Sequence, residues 1–208
     1  MPAVPGRRQL VWDMDGTLLD SAVAVPAAYV AAVERLDGPS VRPDQVVGSY
    51  SVGPSAVLLA HLLGRELRDG ELEVYYSELA GATVCPYPGI DEVICALNAA
   101  GHPVAVFTGA SRKAARLLLS AAGIAADVLV GGDEVARPKP APDGLLLVAQ
   151  RLDTAPDQLA YIGDAPNDLR AAAAAGALSA AAAWGHQYDS AVPADVTLAR
   201  PASALELV

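Results

Sequence analysis

With 208 residues, the chain is long enough for one large domain, or a core with a small insert, that buries its apolar surface without covalent staples. Hydrophobic residues make up 53% and charged residues 18%, which excludes a disordered tail protein. The 14 basic residues against 24 acidic ones give a net charge of −10, the wrong sign for a partner held through nucleic-acid phosphates.

The N-terminal stretch MPAVPGRRQL holds basic residues but no long apolar run, so neither a signal peptide nor a membrane span is read there. Gln9–Asp13 is the first short apolar run and reads as a strand ending on an acid. From Ser21 to Cys85 the pattern turns helical, with apolar positions at helix spacing in Pro26–Leu36, Pro54–Leu63 and Gly70–Leu79 and no convincing strand. Turn signals punctuate it at Asp37-Gly38-Pro39, Gly53-Pro54, Asp69-Gly70 and Pro86-Tyr87-Pro88-Gly89. Strands then alternate with helices of about ten residues. The strands are Pro103–Thr108, Asp127–Gly131, Leu159–Asp164 and the alanine-rich Ala177–Ala183. The helices are Asp91–Ala100, Ser111–Ala122, Pro142–Leu152 and Asn167–Ala175. This is the signature of βαβ units on a parallel sheet. The expectation is an α/β core, a Rossmann-like doubly wound parallel sheet, formed by residues 1–20 and 86–208, with an inserted α-helical unit at 21–85. Cys85 and Cys95 have no CxxC spacing and no Cys/His neighbours, so they read as two buried thiols rather than a zinc site or a disulfide. Ala171–Ala183 is too short for a membrane span and is interrupted by Gly176. A soluble, cytoplasmic protein is expected, a monomer or weak homodimer.

Four features carry chemistry. Asp13-Met14-Asp15-Gly16-Thr17 follows the first strand directly. In an open parallel sheet, ligands bind beyond the carboxyl ends of the strands. Two carboxylates two residues apart repel each other there, and a divalent cation removes the conflict. Hard oxygen donors suit Mg²⁺, and a carboxylate beside it can attack phosphorus to give an aspartyl-phosphate. The plainer reading is a strand end with two solvated acids. Thr108-Gly109 ends the next core strand just before a helix and offers a hydroxyl and a backbone N–H as a phosphate cradle, or else an ordinary turn. Arg137-Pro138-Lys139-Pro140 holds one of only two lysines in a proline-stiffened loop, where a fixed cation can neutralise phosphate charge. Gly163-Asp164-Ala165-Pro166-Asn167-Asp168 adds two acids at the same sheet edge, although Asp168 would also serve as a helix N-terminal acid.

In this order, DxDGT, a strand-terminal threonine, a lysine before proline and GDxxxD, the chain resembles the haloacid dehalogenase-like phosphohydrolases over nearly its whole length. The helical stretch resembles the C1 α-helical cap of phosphoglycolate-phosphatase-like and β-phosphoglucomutase-like members, and Pro86-Tyr87-Pro88-Gly89 the return to the core. The resemblance implies a role for each position. Asp13 would be the nucleophile and a Mg²⁺ ligand. Asp15 would be the general acid/base, its backbone carbonyl on the metal. Thr108 and the Gly109 N–H would hold the phosphoryl group, and Lys139 would bridge nucleophile and phosphate. Asp164 would bind Mg²⁺, with Asp168 supporting it directly or through water. Phosphoryl transfer needs chiefly positioning and charge neutralisation, which agrees with the residues' own reading. Gly109 stands where many relatives carry Asn or Ser. Asp15 argues against dehalogenation, which lacks that acid, and Thr17 resembles the phosphatases more than the mutases, which usually carry valine.

The implied partner is a small phosphorylated metabolite, such as phosphoglycolate or a sugar phosphate, with no nucleic acid and no membrane. A cap would exclude water and contact the leaving group. Its candidate contacts are Arg35, Arg42, Tyr50, His61, Arg65 and Arg68. The Gly48-Ser49-Tyr50-Ser51-Val52-Gly53 stretch is the candidate specificity loop. His102 reads as structural, and His186 lies near the active edge by topology. The expected activity is a Mg²⁺-dependent phosphatase. The alternatives are a β-phosphoglucomutase-type mutase and a non-catalytic receiver-like domain phosphorylated on Asp13.

Overall fold

A computed structural model describes residues 8–208; the stretch read as lacking a signal sequence falls largely on residues 1–7, which lie outside the described residues. The first half runs β1 (Gln9–Trp12), β2 (Leu19–Asp20), α1 (Ala24–Arg35), α2 (Pro43–Gly48), a 3-10 turn (Tyr50–Val52), α3 (Ser55–Leu63), α4 (Glu71–Ala80) and β3 (Cys85–Pro86). The second runs α5 (Ile90–Ala99), β4 (Ala105–Phe107), α6 (Arg112–Ala121), β5 (Val128–Val130), α7 (Asp143–Arg151), β6 (Leu159–Gly163), α8 (Pro166–Ala175), β7 (Leu178–Ala182) and β8 (Val196–Leu198), closing on a 3-10 turn at Pro201–Leu207.

Six strands form one sheet in the order β5-β4-β1-β6-β7-β8, and every neighbouring pair is parallel. Parallel strands are covered on both faces, which explains their continuous apolar runs. Alternation along the strands splits the core in two. Leu10, Trp12, Val106, Ile162 and Ala180 face one side, packed with α5 and α6. Val11, Phe107, Leu159 and Tyr161 face the other, with α7 and α8. Alanine on both partners, Ala171 and Ala172 of α8 and Ala177 beside them, lets this helix lie close to the sheet. The chain moves outward from β1 to β4 and β5, then returns to β6 on the other side of β1. The carboxyl end of β1 therefore sits at the switch point where such sheets leave a crevice.

Helices α1–α4 lie between β2 and β3, which pair antiparallel as a two-residue ribbon where the chain leaves and re-enters the sheet region. Their apolar faces, including Tyr29, Leu59, Tyr75 and Leu79, merge into the cluster that covers the α5–α6 side of the sheet. Polar contacts join the same surfaces. Tyr76 Oη lies 3.0 Å from Ser111 Oγ, the Ser111 N–H donates to Ser55 Oγ, and Lys113 pairs with Glu73 at 2.7 Å. No helix is long and apolar enough to cross a membrane, among the described residues.

The cysteines depart from expectation: both are exposed and unpaired. Cys85 lies on the thin ribbon. Cys95 follows Ile94 on α5, a step of about 100° that turns it off the face formed by Val93, Ile94 and Leu97. Also absent from the sequence reading are α2, β8 and the ribbon, each six residues or shorter.

Gly144 on α7 lies against the Phe107 ring, where a Cβ would come within 2.1 Å of ring atoms. In an open helix, Gly→Ala gains about 1 kcal/mol, whereas overpacking a tight core costs about 1–3 kcal/mol. A rigid aromatic neighbour decides the sign, so Gly144→Ala is expected to lower the melting temperature by several degrees, checked by calorimetry.

Candidate active site

The site is built at the carboxyl ends of β1, β4 and β6. The Asp13 N–H still belongs to the sheet, donating to Ile162 O at 2.8 Å, so the first acid is placed by the strand itself. Lys139 reaches in from the proline-flanked loop after β5. Its Nζ donates to Asp13 Oδ1 at 2.6 Å and to Asp168 Oδ1 at 2.7 Å, and lies over the Phe107 and Tyr161 rings at 5.0 and 5.4 Å. The base of that loop is tied down by Arg137, whose guanidinium pairs with Asp143 at 2.6 Å.

Asp168 carries two loads. Its Oδ2 accepts the Ala165 N–H at the start of α8, so it is indeed a helix N-terminal acid. Its Oδ1 takes Lys139 and the buried Tyr161 hydroxyl, which also donates to Phe107 O. Asp164 is wedged between backbone segments. A Cβ at Gly16 would come within 2.4 Å of its carboxylate, and one at Gly185 within 2.2 Å of its own Cβ; Gly16 also needs its φ of +86°. The Gln187 N–H donates to Asp164 Oδ2 at 2.8 Å, and Trp184 Nε1 to Thr17 O at 2.9 Å, so the turn after β7 closes over the acid.

Carboxylate oxygens of Asp13, Asp164 and Asp168 all lie within 4.8 Å of one another, and all three residues are buried. With all three ionised, three carboxylates against one ammonium leave two negative charges in excess, a cost that shows in the titration of Asp13 and Asp164. Burial pushes the Asp13 carboxyl well up, with Lys139 pulling the other way. Burial likewise raises Asp164 to about 6, against the Gln187 hydrogen bond. Burial would lower the Lys139 ammonium, but Asp13 and Asp168 outweigh it and hold it above its usual range. Asp164 Oδ1 is buried without a hydrogen-bond partner. A free, hard oxygen beside an excess of two negative charges fits a divalent cation.

The Asp15 carboxylate lies outside this trio. It turns toward Ser21, whose hydroxyl donates to Oδ1 at 2.6 Å, and is raised by burial against that bond. The Thr108 N–H donates to Val130 O, and its Oγ1 accepts the Ala110 N–H at 3.1 Å, which fixes the hydroxyl at the strand end.

A cavity of about 410 Å³ gathers Asp13, Asp15, Thr108, Gly109, Lys139 and Asp168 on one side and Gly48 and Tyr50 on the other; His186 also lines it. Arg42 and Ser49 are not brought there. Arg42 is exposed and paired with Asp44 at 2.9 Å, and Ser49 Oγ donates to Gln45 O, because α2 continues to Gly48 and turns both residues away from the site. The other polar candidates also lie elsewhere. Arg35 pairs with Glu78 and Arg65 with Glu71, while His61 and Arg68 are exposed. His102 closes α5 through its N–H to Leu97 O. Missing from the sequence reading were Ser21, Ser55, Tyr29, Tyr75 and Gln187, all cavity-lining. The tyrosines repeat at helix spacing like core residues, and nothing local separates them from the core.

The model of the haloacid dehalogenase-like hydrolase family matches residues 8–176. The chain belongs to that family. This hydrolase is 32% identical to the phosphoglycolate phosphatase of Shigella boydii, over 89% of this chain and 84% of the relative. It is 31% identical to that of Escherichia coli K12 over the same shares. A crystal structure of CbbY from Rhodobacter sphaeroides in complex with phosphate has the same fold, with a TM-score of 0.77 and 23% identity over 92% of this chain and 93% of that one. The hydrolase is an enzyme of the phosphatase kind, and a signalling receiver is thereby set aside.

The raised Asp164 carboxyl fixes the sign of a pH effect in metal-free protein. Its folded value of about 6 exceeds the ordinary 3.8, so the native state holds the extra proton between those values. Stability is then largest below about 4 and is lost as pH rises through about 6, by on the order of 2–3 kcal/mol. In chelator, the melting temperature should fall from pH 5 to 7.5. Asp164→Asn should reduce that slope, leaving the share of the likewise raised Asp13, and melt higher than wild type at pH 7.5, as thermal scans across this range will read.

Proposed function

We propose that this enzyme is a Mg²⁺-dependent phosphomonoesterase of small metabolites working through an aspartyl-phosphate on Asp13, with residues 21–85 as a cap over the crevice. The observation that carries the reading is the Lys139 ammonium, 2.6 Å from Asp13 in a cluster with a two-charge excess of carboxylate. Asp13 and Asp164 would hold Mg²⁺, with the Asp15 backbone carbonyl. Asp168, its oxygens already shared with Lys139, Tyr161 and Ala165, supports the site from behind. Bound Mg²⁺ neutralises the excess charge and screens phosphate from the nucleophile.

In the first half-reaction, an Asp13 carboxylate oxygen attacks phosphorus as the bond to the leaving oxygen breaks. Thr108, the Gly109 N–H and Lys139 hold the phosphoryl oxygens. Asp15 gives its proton to the leaving oxygen. Its burial, which raises the carboxyl, keeps that proton available, and Ser21 fixes its orientation. In the second, the Asp15 carboxylate takes a proton from water as that water attacks phosphorus. The bond to Asp13 breaks, phosphate departs, and Asp13 is free again. The contacts of Tyr76 and Ser55 with Ser111 support a cap seated on the phosphate-holding loop while this occurs.

Hydrolysis of p-nitrophenyl phosphate tests the reading. Activity is expected with Mg²⁺, lost with chelator, and lowered at least ~1,000-fold by Asp13→Asn. Asp15→Asn should cost about 10²–10⁴-fold for an alkyl monoester and less for the p-nitrophenyl ester, whose leaving group needs no proton. Wild-type protein inert on all monoesters, or Asp13→Asn retaining full rate, would remove the proposal.

A further inference from the structure

The cavity has two walls of opposite character. The sheet side is charged. The side formed by α1, the stretch from α2 through α3, and α4 is lined by Val25, Tyr29, Val47, Tyr50, Leu58 and Tyr75, with serine hydroxyls between them. Tyr29 stacks on Tyr75 with ring centroids 4.0 Å apart and planes 19° from parallel; at 3% and 1% exposure the two rings back the wall, and the half-buried Tyr50 is its accessible phenol. The phenols are neutral: burial pushes Tyr29 up to about 12 and Tyr75 and Tyr50 above their usual range.

Among the described residues, no cation stands on this wall. The arginines of the helical segment do not line the cavity, and Arg35, Arg42 and Arg65 are paired with Glu78, Asp44 and Glu71. Lys139, the only lysine or arginine in the lining, stands on the sheet side between Asp13 and Asp168, where the phosphoryl group is held. His186 lies on the sheet side, with Nδ1 3.2 Å from the Tyr87 hydroxyl, and faces Asp15 and Asp164. A second anion on the substrate would lose its water against tyrosine, valine and leucine, with hydroxyls but no cation on that wall to pair with it, near an acidic cluster. An uncharged apolar body would instead bury its surface against Tyr50, Val25 and Val47.

Resting on the phosphomonoesterase reading above, we propose that the preferred substrate is the phosphate ester of an uncharged alcohol with an aromatic or apolar body. Esters carrying a second anion, phosphoglycolate and sugar bisphosphates included, are discriminated against. The recognition element is the neutral tyrosine-lined wall. This separates the chain from the relatives with which it shares about 31% of its residues.

The test compares kcat/KM, with Mg²⁺, for benzyl phosphate, 4-carboxybenzyl phosphate, phosphoglycolate and the uncharged amide of phosphoglycolate. The two matched pairs isolate the carboxylate from leaving-group chemistry. Benzyl phosphate should exceed its carboxylated analogue, and the amide should exceed phosphoglycolate, each by on the order of 10- to 100-fold. Tyr50→Ala should lower kcat/KM for benzyl phosphate about tenfold more than for phosphoglycolate, and Tyr50→Phe should restore the preference. If p-nitrophenyl phosphate is hydrolysed but either carboxylated ester equals or exceeds its neutral partner, this inference alone is overturned. If no monoester is hydrolysed, the phosphomonoesterase reading falls and takes the inference with it.

Discussion

A buried ammonium held between two buried carboxylates organises this molecule. Lys139 is 11% exposed at its side chain, and its partners Asp13 and Asp168 are nearly sealed. Such a group is tolerated only with its donors satisfied, because an unpaired charge in the interior is strongly destabilising. Here the ammonium meets both carboxylates and two ring faces. The lysine and its two carboxylates come from three parts of the chain: the loop before α7, the end of β1 and the first turn of α8. Satisfying the lysine therefore locks together the edge at which the chemistry is placed. Tyr161 extends the lock, its hydroxyl joining Asp168 to the Phe107 carbonyl of β4.

One ammonium does not neutralise the cluster. Asp164 stands in it with an unpartnered oxygen and a raised carboxyl, in a place that Gly16 and Gly185 leave just wide enough for its carboxylate. The metal-free protein thus carries an electrostatic strain that a bound dication would relieve, so binding strength and apo-state instability have one origin. Perturbed carboxyls concentrate where a site must hold charge, and Asp13, Asp15 and Asp164 all share burial as the largest cause.

How much of this was legible in the sequence depended on the range of the signal. Strands such as Leu159–Gly163 are buried on both faces, so their apolar runs announce them. The acids at strand ends, Asp13 and Asp164, follow from chain order, whereas Lys139 and Asp168 are marked by the proline-flanked loop and by the GDxxxD spacing. Signals that depend on partners were not legible. The three-residue β8 exists because β7 offers it an edge. Tyr29 and Tyr75 become a cavity wall only when α1 and α4 meet. Arg42 is held by Asp44, and nothing in the sequence distinguishes an arginine paired two residues away from one free to reach a substrate. Cys95 sits one position past a core residue, where the helical period decides burial.

The proposal that distant acids converge on one divalent cation is tested most directly by calorimetric titration of Mg²⁺ into metal-free protein near pH 7.5, with Asp164→Ala alongside. The account predicts saturable binding of one ion to wild type and at least ~10-fold weaker binding to the variant, in line with the loss of one charged ligand. Equal affinity in the two proteins, or no binding to wild type, would contradict it.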